Sequence, residues 1–460
     1  MGNLGMYASG IPSGMLIDAY GPRWGVVLGI VSFGAGYYPI AKAFDAGPGT
    51  YSVAVLCLFS FFTGAGSCSA FSASIKAAAL SYPESRGTAT AFPLAAFGLS
   101  AVFFATVALA LPHDTSHFLL LLATGTVLLP TLSLFFLRTD MSPLDSLPHK
   151  ESQKLHYTKS SDARHSRPKT DTTAASVEED EFGDEHSSLL SSPSPPNTPN
   201  NESSKLTPHS EAHLDVRGMP LLRLPEFWQL FTMLGLLCGI GLMTINNIGN
   251  MTQSLWLAYD PTTSSAFIAK RQVLHVSLLS LSSFSGRLLS GIGSDILVSR
   301  YNRSRFWCLF LSASIFLAAQ TAALTITYPV HLFAISTLTG LAYGILFGVY
   351  PSLVAHAFGV PGMSQNWGTM ILAAVLAGNT FNLVYGAIFD KHSILDPTTG
   401  DRECLLGKQC YHSAFWLTLA ASALAVMLVL YSIHHEKRVH LQTKRSGKRK
   451  TTSMEDGRPS

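Results

Sequence analysis

The side chain with the most chemistry to offer is Arg287, an ionised group in a run of Ser, Leu and Gly, eight residues before Asp295. On a helix rising 1.5 Å per residue the two lie about 12 Å apart along the axis. A charge at membrane depth is costly and usually faces a cavity or a partner. Arg287 therefore meets an anionic solute, snorkels toward the cytosol, or braces Asp295. Asn246, Asn247 and Asn250 form a polar stripe, continued by Asn379, Asn382 and Tyr385. Amides in apolar helices turn inward, where they line a cavity or bond a neighbouring helix. Of the histidines able to titrate near neutrality, His275 is a candidate for proton coupling, while His356, at a helix end, reads as structural. Catalysis finds no footing. No Ser-His-Asp, paired-carboxylate or metal-ligand constellation lies at a membrane boundary, and no phosphate-cradling loop is present. The chain reads as no enzyme, and neither cofactor nor metal is expected.

The elements that must hold these residues are apolar helices. The 460-residue chain is 47% hydrophobic and only 13% charged, its mean hydropathy is +0.28, and its charges crowd into a few segments, as in a polytopic membrane protein. Net charge is +3. Its basic regions lack aromatic or groove-reading companions, so they read as topology determinants and imply no nucleic acid. Crossing the bilayer takes roughly 20 apolar residues, and the sequence offers about eleven such runs: 1–17, 24–44, 51–75, 88–111, 116–137, 226–249, 272–293, 306–327, 330–358, 363–389 and 413–433. They divide the chain into bundles at 1–137 and 225–434, a linker at 138–224 and a basic tail at 435–460. The fold class is an all-α membrane protein of two helical bundles.

The bundles repeat each other. Gly14-Met-Leu-Ile-Asp18, followed by Gly21 and Arg23, has its counterpart in Gly291-Ile-Gly-Ser-Asp295 with Arg300 and Arg303, and Thr63-Gly64 with Phe71 recurs as Thr339-Gly340 with Phe347. Repeats of this kind are a transporter signature. The loop resembles that of the major facilitator superfamily. Gly2-Asn-Leu-Gly-Met-Tyr7, Arg86-Gly-Thr-Ala-Thr90 with Phe97-Gly-Leu-Ser100, and Gly286-Arg287-Leu-Leu-Ser-Gly291 resemble its fungal nodulin-like and monocarboxylate-transporter-like branch. The resemblance implies six helices per half. With about five and six found, the first family helix is expected to be missing. It also implies that Asp18 with Arg23, and Asp295 with Arg300, are charge relays that clamp the cytosolic side in one conformation. The alternative is that these charges set topology alone. Where the family has a base directly after the aspartate this chain has Ala19, which leaves Arg23 as the expected partner. Monocarboxylate transporters carry an arginine in the helix of Arg287, but Ser283 stands where they have an aspartate, so proton coupling through that pair is not implied.

The linker is rich in Ser, Pro and charge, too poor in apolar residues to bury a core, and is expected to be disordered. Within it, Glu185-His-Ser-Ser-Leu189-Leu190 behind an acidic run resembles the acidic dileucine signal read by adaptor complexes; the alternative is a chance match. Arg23, Lys76, Arg86, the linker bases, the Arg300–Arg305 loop and the tail share one face, which the positive-inside rule makes cytosolic. Lys76 is expected to snorkel to that interface. The loop holding Cys404 and Cys410 then lies on the opposite side, where they form either a disulfide or two free thiols. The expected function is secondary transport of a small metabolite, with anions a candidate class, by alternating access. Arg287, Asn246, Asn250 and Asn379 would contact it, and the vacuolar membrane is favoured over the plasma membrane. The alternative is a transporter-like sensor or scaffold without flux.

Overall fold

The computed structural model describes residues 1–47, 49–110, 115–137, 215–395 and 402–455. The dileucine residues Glu185, Leu189 and Leu190 lie outside them. The first bundle comprises α1 (Gly2–Ala8), α2 (Gly10–Tyr20), α3 (Pro22–Ala46), α4 (Val53–Ser81), α5 (Arg86–Ala110) and α6 (Thr115–Phe136). A short helix α7 (Met219–Leu222) leads into the second bundle, which comprises α8 (Pro225–Tyr259), α9 (Ser265–Tyr301), α10 (Phe306–Thr325), α11 (Leu332–Phe358), α12 (Met363–His392) and α13 (His412–Glu455). A two-stranded antiparallel hairpin, β1 (Ile394–Leu395) and β2 (Arg402–Glu403), joins α12 to α13.

Local chemistry accounts for the boundaries. Pro12 has no N–H to return to Ala8, and the first apolar run divides there into α1 and α2. Gly21, at φ +95, turns the chain so that Pro22 opens α3. Ser264 caps α9, which closes on Asn302 in the left-handed conformation. Among the described residues, nine helices are long and apolar enough to cross a membrane. Serine-rich α9 is not among them, although its 37 residues span about 55 Å.

The second bundle has a continuous core in which Phe227, Phe316, Tyr350 and Trp367 are fully buried. The first bundle leaves Leu129, Phe135 and Phe136 more than half exposed, as befits side chains whose solvent is lipid. The bundles meet chiefly in two crossings, α2 on α12 and α5 on α9, with α5 also against α11. Small residues permit both. A Cβ on Gly14 would lie 2.5 Å from the Ser364 carbonyl oxygen, and one on Gly291 would lie 2.2 Å from the Ala91 Cβ. By contrast, Gly64 and Gly344 pack within their own bundles, against α1 and α9.

The end of the linker departs from the expected disorder. Residues 215–224 are folded against the second bundle because Leu221 is buried in its core and the Val216 N–H donates to the Phe358 carbonyl at 3.1 Å.

Candidate functional site

Each crossing ends, on the side that carries Lys76 and Arg305, in a carboxylate bound to the start of a helix in the other bundle. The first N–H groups of a helix have no partner within it, and the dipole there favours negative charge. Asp18, at the end of α2, is buried; it accepts from the N–H groups of Ser364 at 3.2 Å and Gln365 at 2.8 Å, both in the first turn of α12. Asp295, near the end of α9, accepts from the N–H groups of Gly87 at 3.1 Å and Thr88 at 2.6 Å, in the first turn of α5. A Cβ on Gly87 would collide with Asp295 and Ser294, so the approach depends on glycine. The two arrangements are reciprocal: α2 caps α12, and α9 caps α5.

The bases that serve these carboxylates differ from those expected. Arg23 is exposed and donates from Nε to the Leu137 carbonyl at 2.8 Å, because the Gly21 turn starts α3 away from α12. Asp18 pairs instead with Lys76 of α4, at 2.6 Å. Lys76 does not snorkel; it is buried, and its Nζ also donates to the Pro361 carbonyl at 2.6 Å. Arg300 is exposed in the last turn of α9. The Asn302 turn brings Arg305 back to Asp295 at 2.9 Å and to the Ser294 hydroxyl at 3.2 Å. Each ion pair lies inside a single bundle, so each base holds its carboxylate ready, while the helix N–H groups and the Lys76 bond to Pro361 supply the contacts across the interface. A lone lysine among the alanines and serines of α4 was the available signal for Lys76.

Arg287 lies deeper on the same interface. It is buried, donates from a guanidinium nitrogen to the Leu94 carbonyl of α5, and has Phe97 of one bundle and Phe347 of the other at 5.7 and 5.8 Å from its guanidinium carbon. It braces neither Asp295 nor the cytosolic surface, and its Nε has no hydrogen-bond partner. The amide stripe divides. Asn247 donates to the Met243 carbonyl and, at 2.9 Å, to the Asn382 side-chain oxygen, tying α8 to α12. Asn246, Asn250 and Asn379 are exposed. His275 is buried beside the Ser336 hydroxyl at 3.0 Å, within the second bundle.

At the opposite end, Cys404 and Cys410 form a disulfide. Glu403 accepts from Gln253 of α8 at 2.8 Å, and Tyr411 stacks on Tyr385, so the hairpin is seated on the second bundle. Among the described residues, no group of three or more His, Cys, Asp or Glu side chains could hold a metal ion.

Two helical bundles joined by crossed, reciprocally capped helices define a membrane-transporter architecture, and comparison with known proteins assigns the family. Residues 2–378 match the Major Facilitator Superfamily, and the chain belongs to it. That family consists of transporters and not enzymes. An uncharacterized membrane protein of Saccharomyces cerevisiae is 30% identical over 414 residues, which cover 80% of this chain and 75% of that one. A probable transporter of Neurospora crassa is 25% identical over 81% of this chain and 69% of its own. Among solved structures, an E. coli fucose:proton symporter superposes with TM-score 0.54 at 13% identity, covering 92% of this chain and 88% of that one. The human organic anion transporter MFSD10 also gives 0.54, at 16% identity, over 93% and 81%. These structures share the fold.

Proposed function

We propose that the protein is a secondary transporter that moves a small, anionic metabolite by alternating access, and that the conformation described is the one closed toward the cytosol. The reciprocal caps carry this reading. Rocking the bundles apart pulls Asp18 from α12 and Asp295 from α5 together, while the Asp18–Lys76 and Asp295–Arg305 pairs travel intact within their bundles. The carboxylates then exchange backbone N–H groups for cytosolic water, so the two states differ by a few hydrogen bonds and interconvert without burying a bare charge. Asp18 and Asp295 are the gating groups, with Lys76 and Arg305 as their supports; Arg23 and Arg300 act on topology only.

Arg287 is the group proposed to meet the anion. Its unpartnered Nε is a free donor at the contact between bundles, and an anion there would draw the guanidinium from Leu94. Asn246, Asn250 and Asn379, exposed on α8 and α12, are proposed to line the path. The nodulin-like and monocarboxylate-transporter-like branch is proposed from the motifs around Arg86 and Arg287. The vacuolar membrane is proposed from the Glu185, Leu189 and Leu190 signal, through an adaptor complex; Leu189→Ala with Leu190→Ala in a tagged chain tests it by imaging, and unchanged placement removes it. Uptake into vesicles across monocarboxylates, amino acids and sugars, with and without a proton gradient, tests transport. Loss of saturable uptake in Arg287→Ala supports the anion site, and silence from well-inserted protein returns the chain to the sensor or scaffold reading.

A further inference from the structure

The folded end of the linker lies on the turn that the first latch grips. Gly359, at φ +93, reverses the chain between α11 and α12. The turn offers Lys76 the Pro361 carbonyl and offers Asp18 the N–H groups of Ser364 and Gln365. Residues 215–218 bind the same few residues from another direction. The Val216 N–H donates to the Phe358 carbonyl at 3.1 Å, just before the turn, and the Asn366 side chain donates to the Val216 carbonyl at 2.8 Å, just after it. Between those clips two linker side chains press on glycine: a Cβ on Gly362 would lie 3.1 Å from the Arg217 Cβ and 3.1 Å from Asp215 Oδ1. Asp215 and Arg217 pair at 2.9 Å, which fixes the extended segment. Leu221 then anchors it in the core, and the Trp228 indole N–H donates to the Leu222 carbonyl.

We propose that residues 215–224 form a strap that couples the cytosolic linker to the first latch, so that a seated strap stabilises the cytosol-closed state and a lifted strap releases it. The proposal rests on the latch reading above. The clips at Phe358 and Asn366 hold the turn at both ends; without them Pro361, Ser364 and Gln365 are free to shift away from Lys76 and Asp18. The strap meets the first latch at the turn before α12, so the proposed control acts on that latch.

The second latch provides a reporter that the strap does not touch. Ser294 is fully buried beside Gly87 and Arg305, so a Ser294→Cys thiol, in a chain with Cys57, Cys68, Cys238 and Cys308 replaced, meets an impermeant maleimide from the cytosolic side only when the bundles part. Val216→Pro deletes the N–H that reaches Phe358. Asn366→Leu deletes the other clip while filling its space, and decides the matter if the proline chain fails to insert. Each variant is expected to raise the labelling rate about fivefold, the worth of one ordinary hydrogen bond, whereas Val216→Ala, which keeps both bonds, is expected to leave it unchanged. Asp18→Asn runs beside them. If it accelerates labelling and neither clip variant does, the strap proposal is wrong and the latch stands. If Asp18→Asn also leaves labelling unchanged, the latch reading falls and the strap falls with it.

Discussion

Asp18→Asn separates the two jobs that the carboxylate performs. Across the bundles, Asp18 accepts two N–H bonds from α12; within its bundle it neutralises buried Lys76. A charge-assisted hydrogen bond contributes about 1.5–3 kcal/mol and a neutral one about 1. An asparagine retains at best one neutral bond to Ser364 or Gln365, so the closed state loses at least about 2 kcal/mol relative to the open one, a shift of about 30-fold or more. Separately, Lys76 is left buried in the closed state without a counter-charge, which lowers the stability of that state by about 3–5 kcal/mol. Asp18→Asn with Lys76→Met removes that second cost while leaving the first. The double variant is therefore expected to melt closer to wild type, yet still to label at Ser294→Cys faster than wild type, because the charge-assisted bonds to Ser364 and Gln365 and the bond to Pro361 are gone. Labelling kinetics and thermal melts of detergent-solubilised protein read the two quantities independently. Wild-type labelling in a folded Asp18→Asn chain would refute the reasoning, and so would a double variant that regained the closed state. Arg23→Ala, which removes a hydrogen bond to the Leu137 carbonyl within the first bundle, serves as the control and is expected to change neither readout.

Other perturbations probe the same interface. Asp295→Asn is expected to shift the gate less, about tenfold, because its carboxylate is partly exposed and water replaces the lost donors more cheaply; the same thiol reporter measures it, and a shift larger than that of Asp18→Asn would contradict the ranking. Gly291→Ala drives a methyl group into Ala91 and the Gly87 carbonyl, and overpacking of about 1–3 kcal/mol falls on the closed state alone; labelling is expected to rise roughly tenfold with little change in insertion. Cys404→Ser with Cys410→Ser opens a short loop, and chain entropy alone predicts about 2 kcal/mol of lost stability, seen as a lower melting temperature with unchanged cytosolic labelling.

The Gly-to-Asp spacing was legible because it is local and occurs twice; its partners were not. Lys76 is 58 residues from Asp18, and the other donors to Asp18 are main-chain N–H groups almost 350 residues away, where no side-chain type marks them. Arg305 shares a short loop with Arg300 and Arg303, and only the left-handed turn at Asn302 decides which of them faces Asp295. Neighbouring Asn246 and Asn247 differ by about 100° around one helix, enough to leave the first exposed and bond the second to Asn382. Most apolar runs appear as helices close to their expected limits, since the length and hydropathy that mark them are local features of the sequence. The strap escaped notice because its anchors are a backbone pair and one leucine within a polar tract.

The central claim is that this chain moves a solute by opening and closing the crossed latches. The most direct measurement is uptake of anionic metabolites into vesicles by wild-type protein and by Asp18→Asn with Lys76→Met, each with Arg287 intact or replaced by Ala. Saturable wild-type uptake, altered in maximal rate by the latch variant and abolished with Arg287→Ala, is the predicted result. Well-inserted protein whose latch variant opens toward the cytosol, yet which carries no solute in any form, would contradict it.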